Sequence, residues 1–492
     1  MEKFTKKQVV SGALWKIIEQ FSAKGISFIV SLVLARLLLP DDYGLIALTA
    51  VFTNFSDILI DSGFSTALVR KKDVDDYDYS SVFCVSFSIA TALYLVIFFS
   101  APYISDFYGE PSLTAVLRVI GLTLFFQAFS SIRIAAVTRK MQFKLLFRCN
   151  CIATVCSGVV GILSAYFGAG VWALVIQRLT QQLLSTVLLL LFIKWKFIFK
   201  FRFDRLKEMM KFSSGVVASS FINYFGGSLY SLIIGKRYSV EDLGYYNKSS
   251  ELSMQVSLYT FGAMSSVLLP TLASYQEDLE RMKSIVRRVV SITAYLIFPM
   301  MIGLAMVSSE LVTLLYTEKW LPIVPMMRFS CLYYTATPFM LINVQVFFAL
   351  GRSSYRVKSE LARLVMLIGG ILIFSIGLNY NVYYLALVCA VVEVLTVLVT
   401  YFYVRKMLNY RIKEYLGDLI VPILAAVCMA IGIFAVDFLL SSVLMIDTIL
   451  WSLIFKVLFG VLIYLVLSMF LKIQGFNELL GFLKVFKKRR NG

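Results

Sequence analysis

Charge limits what this chain can become more than any other property does. Fourteen apolar runs are joined by connections that are by turns rich and poor in lysine and arginine. Of the 47 basic residues, 36 lie in the two terminal segments and every second connection with the helix ends beside it, and the other 11 are scattered. The rich segments are Lys3 to Lys7, Arg70 to Lys72, Arg133 to Arg148, Lys194 to Lys211, Arg281 to Arg288, Arg352 to Arg363, Arg405 to Lys413 and Lys472 to Arg490. Membrane proteins keep lysine and arginine in their cytoplasmic loops. The ladder therefore predicts an all-α polytopic membrane protein of about 14 transmembrane helices, with both termini cytoplasmic.

The expected spans are 15–39, 43–60, 79–101, 113–137, 146–167, 171–193, 212–235, 245–269, 286–307, 321–350, 361–379, 382–404, 417–439 and 448–471. Most lie near the roughly 20 residues that cross a hydrocarbon core. A hydrophobic share of 59% and a mean hydropathy of +0.82 exceed what soluble cores can hide. The net charge of +18 does not point to nucleic acid, because the basic residues are dispersed over short juxtamembrane loops. Anionic lipid headgroups are the expected counterpart. No cleavable leader is expected, since the first apolar run carries Lys16, Glu19 and Lys24 with no small-residue cleavage site after it. Seven cysteines without a Cys-x-x-Cys spacing indicate neither disulfides nor a zinc site, and histidine is absent. Any proton traffic must use carboxylates.

No connection is long enough to fold alone, so the chemistry must lie within or between helices. Lys194 to Phe203 alternates basic and aromatic residues ahead of Asp204 and reads as an interfacial segment. The chain also resembles itself. Ala35-Arg36 followed by Asp41-Asp42-Tyr43-Gly44 recurs as Gly235-Lys236 followed by Glu241-Asp242-Leu243-Gly244. Ser11-Gly12 matches Ser214-Gly215, Gly63 matches Gly262, Arg118 matches Arg328, Arg139 matches Arg352, and Ala173-Leu174-Val175 matches Ala386-Leu387-Val388. Helices 7 to 12 are thus expected to repeat helices 1 to 6 in the same orientation, as two pseudo-symmetric six-helix lobes around a central cavity. The expected division is a first lobe at 1–194, an interfacial linker at 195–211, a second lobe at 212–405, and two appended helices with a basic amphipathic tail at 406–492. Phe476, Leu479, Leu480, Leu483 and Phe486 space that tail for the cytoplasmic leaflet.

Charged residues at membrane depth are expensive and point to function, each against a plainer reading. Arg118 and Arg328 occupy equivalent places about 8 to 10 Å below the outer surface at the helical rise per residue. They either grip a phosphate as paired guanidinium forks or snorkel to headgroups. Arg178 lies at similar depth. Lys24 lies near the middle of the first helix, with Glu19 five residues earlier. Carboxylates at depth are Glu19, Asp57, Glu251 and Glu393, which either couple ions or partner arginines on neighbouring helices. The Asp-x-Asp spacing of Asp73-Val74-Asp75-Asp76 reads as a solvated loop, since no nucleotide-binding domain accompanies it. Pro299 and Pro338 fall within spans, as kinks or as ordinary membrane-helix prolines.

The stretches Leu34 to Leu45, Asp61-Ser62-Gly63-Phe64 ahead of Leu68 to Lys72, and Arg139-Lys140-Met141-Gln142-Phe143 resemble bacterial polysaccharide flippases of the Wzx type. These belong to the multidrug, oligosaccharidyl-lipid and polysaccharide exporter superfamily. The resemblance is strongest over the first 200 residues and runs, through the repeat, to about residue 405. It implies translocation of an undecaprenyl-pyrophosphate-linked repeat unit across the bacterial cytoplasmic (inner) membrane by alternating access, without cofactor or covalent catalysis. Implied partners are lipid-linked oligosaccharide, membrane lipids and the polysaccharide polymerase and export machinery. Lys24, Arg118, Arg178 and Arg328 are then the pyrophosphate candidates, and Gln127, Asn223, Tyr224, Asn343 and Gln345 face the sugar. Two other functions stand beside this one. An ion-coupled drug exporter of the same superfamily would favour acidic depth charges. A membrane glycosyltransferase or polymer ligase would need a sizeable loop or paired catalytic residues.

Overall fold

The computed structural model describes residues 24–61, 64, 68, 74–139, 142–193, 220–221, 224–373, 381–442 and 449–479, and every regular element among them is helical. Ten of these helices are long and apolar enough to cross a membrane: Pro40–Asp61, Asp76–Tyr108, Ser112–Arg139, Phe143–Tyr166, Val171–Phe192, Leu279–Met306, Ile323–Ala349, Tyr383–Leu408, Ile412–Leu439 and Ile449–Phe470. Further helices occupy 24–37, 224–237, Val240–Ala273 and Ser354–Ile371. Large apolar side chains point outward along them; Val96, Phe99, Leu191 and Ile431 are each more than 60% exposed. That is the surface of a chain whose solvent is hydrocarbon. Two compact units divide the molecule, Met1–Gly244 and Tyr245–Gly492.

Local chemistry sets the helix ends. Asp75 caps Asp76–Tyr108 in a capping box: its carboxylate accepts from the Asp78 amide at 3.0 Å, and the Asp78 carboxylate accepts from the Asp75 amide at 3.3 Å. The Asp-x-Asp stretch therefore has a structural task. Gly109 closes the same helix at φ 75°, a conformation that favours glycine. Asp278 caps Leu279–Met306 through the Arg281 amide at 2.9 Å. That helix starts seven residues before the expected 286, because the cap and the amphipathic turn after it extend beyond the apolar run. The expected span 113–137 is interrupted by a turn at Gly121 and Leu122, between Ser112–Ile120 and Thr123–Arg139. A Cβ at Gly121 would lie 3.0 Å from the Leu117 carbonyl oxygen and 3.2 Å from the Tyr94 ring.

In the first unit, the helix starts at Pro40 and Val240 cross in close backbone contact. A Cβ at Gly44 would stand 1.8 Å from the Val240 carbonyl oxygen, and one at Gly244 would stand 2.1 Å from that of Pro40. The contact is reciprocal, as at a two-fold interface: the motif duplicated in sequence meets its own copy. Asp41, Asp42, Glu241 and Asp242 fill the first turns and complement the positive helix ends. Beside them, burial and then the charge of Asp41 push the Glu110 carboxyl above its ordinary range.

In the second unit, Leu279–Met306, Ile323–Ala349 and Tyr383–Leu408 enclose a core that includes Val290, Phe339, Phe347 and Tyr401. Ile412–Ser442 and Ile449–Phe470 approach each other at Gly432 and Gly460, where a Cβ would meet Ile463 at 2.2 Å and Ile433 at 2.9 Å. Both pack on Tyr295. Asp418 accepts two bonds from Arg287 at 2.9 Å each and one from the Tyr410 hydroxyl at 2.6 Å. Burial, then that bond, raises Tyr410 above the usual phenol range.

The tail departs from the expectation where it is described. Ile473 is buried, the Phe476 ring lies 5.8 Å from that of Tyr295, and Glu478 pairs with Arg288. Residues 473–479 therefore dock on Leu279–Met306, because apolar spacing serves a protein groove as well as a lipid surface. Residues 480–492 and the linker 195–211 lie outside the described residues.

Candidate functional site

Within the first unit, Arg178 is the depth charge with the most developed surroundings. Val171–Phe192 carries it toward Pro40–Asp61, where its Nη2 donates to Asn54 Oδ1 at 3.1 Å. Asp57, one turn further on, contributes an opposite charge nearby. From 224–237, the Tyr224 hydroxyl lies 3.0 Å from the Ala50 carbonyl oxygen and 3.1 Å from that of Val51. Its single proton ties that helix to the same stretch of Pro40–Asp61. Gln182 donates to Gln127 at 3.0 Å, and Gln181 donates to Thr154 at 3.4 Å. Val171–Phe192, Pro40–Asp61 and Thr123–Arg139 thus bring a cation, a carboxylate and amides together within apolar helices.

The other cationic candidates fall in separate places. Lys24 opens the described part of the chain on the helix 24–37 and is exposed. Arg118 lies over the Phe98 ring at 4.3 Å, and its Nε donates to the Phe98 carbonyl at 3.2 Å. Arg328, in the second unit, is exposed and donates from Nε to Ser308 Oγ at 3.3 Å. Each of these two arginines reaches 20 residues back along the chain, Arg118 to Phe98 within Asp76–Tyr108 and Arg328 to Ser308 just beyond Leu279–Met306. Glu19 lies outside the described residues, as does Asn223.

The second unit holds its carboxylates differently. Glu251 pairs with Lys248 at 2.7 Å, and Lys248, 3% exposed, also lies 4.9 Å from the Tyr316 ring centroid. Glu360 receives Arg356 at 2.5 Å and Arg363 at 3.0 Å. Glu393 is 1% exposed, with the Thr337 hydroxyl at 3.2 Å. Asn343 donates to Thr400 at 3.0 Å inside the core, and Gln345 Oε1 is buried with no hydrogen-bond partner among the described residues. Lys456, on the last described long helix, meets Asp437 at 2.5 Å and also pairs with Glu310. No group of His, Cys, Asp and Glu among the described residues is placed to hold a metal ion.

Sequence reasoning missed Lys248, Arg356, Glu360, Arg363 and Lys456. The spacings Lys248 to Glu251, Arg356 to Glu360 and Glu360 to Arg363 were readable as same-face helical pairs. Arg356 and Arg363 were counted in a basic connection, and Ser354–Ile371 presents both to Glu360. No local signal marked Lys456, whose partners are distant in sequence.

Comparison with known proteins follows the same lines. Residues 33–325 match the model of a family described as polysaccharide biosynthesis protein. The succinoglycan biosynthesis transport protein ExoT of Rhizobium meliloti is 24% identical over 314 residues, 64% of either chain. The teichuronic acid biosynthesis protein TuaB of Bacillus subtilis is 22% identical over 433 residues, 88% of this chain and 89% of that one. The lipopolysaccharide biosynthesis protein WzxC of Escherichia coli is 21% identical over 332 residues, 66% of this chain and 67% of that one. In fold, the chain is similar to the lipid II flippase MurJ in an inward closed conformation, with a TM-score of 0.76 at 16% identity over 93% of this chain and 99% of that one. It is also similar to an inward-facing multidrug resistance transporter of the MATE family, with a TM-score of 0.64 at 14% identity over 80% and 98% of the two chains.

Proposed function

Because the chain belongs to the polysaccharide biosynthesis protein family, we propose that it flips undecaprenyl-pyrophosphate-linked oligosaccharide repeat units across the bacterial cytoplasmic membrane for surface-polysaccharide assembly. The observation that carries this is Arg178 at membrane depth, with Asn54 as its recorded hydrogen-bond acceptor and Asp57 nearby. A buried guanidinium with one neutral acceptor keeps donors for a phosphate oxygen that hydrocarbon cannot satisfy. Arg118 and Lys24 of the first unit and Arg328 of the second are further candidates for anionic groups, each in its own place. In the first unit Gln127 and Tyr224 are candidates to meet the sugar, whereas the Asn343 amide is taken up by Thr400 inside the core of the second. Alternating access between two lobes, with both termini cytoplasmic, replaces covalent chemistry. The lipid tail remains in the bilayer, and the polymerase and export machinery receive the product. Names of relatives with succinoglycan, teichuronic acid and lipopolysaccharide biosynthesis support the substrate class.

The test is leaflet-resolved accessibility of lipid-linked oligosaccharide to an impermeant sugar-directed probe in cells depleted of this protein. Accumulation on the cytoplasmic side, rescued by the wild-type chain and not by Arg178→Gln at equal abundance, is the expected result. Unchanged outer-leaflet exposure in cells lacking any redundant flippase would redirect the assignment to drug export.

A further inference from the structure

Among the described residues, three carboxylates of the second unit are buried: Glu360, Glu393 and Asp418. Glu360 and Asp418 each sit on arginine. Among the described residues, Glu393 has no basic group within ion-pair distance, and its polar contact is Thr337 Oγ1 at 3.2 Å. Thr337 lies in Ile323–Ala349, and its hydroxyl also reaches the Tyr333 carbonyl oxygen one turn back, at 3.1 Å. A threonine hydroxyl has one proton. The carbonyl can only accept, so when the hydroxyl proton goes there, the contact with Glu393 must be filled from the other side. A protonated Glu393 does this, donating its own O–H to Thr337 Oγ1. An ionised Glu393 would have to share that proton with the carbonyl, which is poor compensation for a carboxylate sealed from solvent.

The charges around Glu393 come from Ser354–Ile371, which brings Arg363, Glu360 and Arg356. Ile323–Ala349 contributes the Tyr333 and Tyr334 hydroxyls, and its own helix contributes Cys389, whose Sγ lies 3.3 Å from the Tyr246 hydroxyl. Both guanidiniums are committed to Glu360 in this conformation.

We propose that Glu393 is a proton-binding site of the transport cycle, protonated in this conformation and released when Arg363 turns from Glu360 to Glu393. The step breaks the carboxylic O–H bond, sends the proton to water and leaves the carboxylate beside the guanidinium; Glu360 keeps Arg356. This deepens the transport reading and rests on it for the word cycle, while the protonation itself does not.

Difference infrared spectroscopy of the full chain in lipid vesicles tests the site without substrate. Expected at neutral pH is a protonated-carboxyl carbonyl band in the wild type that is lost in Glu393→Gln and shifts in Thr337→Val. Identical carboxyl regions in wild type and Glu393→Gln would overturn the proposal. Should Glu393→Gln fail to assemble, the Thr337→Val shift decides alone: a shift supports the site and an unmoved spectrum overturns it. In cells, collapse of the proton gradient should abolish outer-leaflet exposure by the wild type and leave Glu393→Gln at its own residual rate; equal sensitivity of both would overturn the coupling. Absence of the band from the wild type with flipping intact sinks the proton site alone, whereas a wild-type band without flipping sinks the substrate assignment alone.

Discussion

The two units hold their buried charges in opposite ways. In the first, Arg178 donates to a neutral amide with Asp57 nearby, so the guanidinium keeps capacity for an incoming anion. In the second, Arg356 and Arg363 are both taken up by Glu360, and among the described residues the buried carboxylate without an ion pair is Glu393. Buried ion pairs are silent until a partner is removed, whereas underpartnered charges are what a substrate or a proton can act on. One unit thus offers unspent positive charge and the other an unspent acid.

Breaking the framework under this contrast should cost most. Gly44→Val drives a side chain into the Val240 carbonyl, and a loss of about 4 kcal/mol is expected from overpacking against backbone. Gly369→Ala, where nothing lies within 4 Å, should be silent. Thermal unfolding in detergent compares the two, and similar melting would break the crossing. Next, Glu360→Ala strands two partly buried arginines and should cost about 3 kcal/mol. Asn54→Ala removes the partner of Arg178 and should cost about 2 kcal/mol. Equal losses in those two variants would erase the difference between the units. Arg118→Lys gives up the planar stacking on Phe98 and the Nε bond, for about 1 kcal/mol. The smallest effect is at Glu110, whose raised carboxyl is ionised at a cost in the folded state. Its contribution is unfavourable at neutral pH and vanishes as pH falls through its folded value. Glu110→Gln should therefore gain a few tenths of a kcal/mol at neutral pH and nothing in acid, discounted for solvent screening. Unfolding at the two pH values shows whether the gain is pH-dependent.

Much of this arrangement was legible from residues alone where the information is local. Apolar length located the membrane-long helices, whereas Asp75, read as part of a solvated loop, is a helix cap. Arg178 and Glu393 stood out because a charge within an apolar run is visible without coordinates. Their partners were not. Asn54 lies 124 residues from Arg178 and Thr337 lies 56 from Glu393, distances over which pattern carries no register. Arg356 and Arg363 were read only as part of a basic connection, because the charge ladder does not register the turn of helix that brings them to Glu360.

The sequence by itself determined the class, the helices and their polar interruptions, since the bilayer leaves a backbone few choices and period and charge declare them. Tertiary structure alone decided which charges are spent. Whether Arg363 neutralises Glu360 or Glu393, and whether Gly44 touches Val240, depends on ångström-scale approach between helices. Hydrogen bonds and buried ion pairs change value over that distance, and no linear pattern records it.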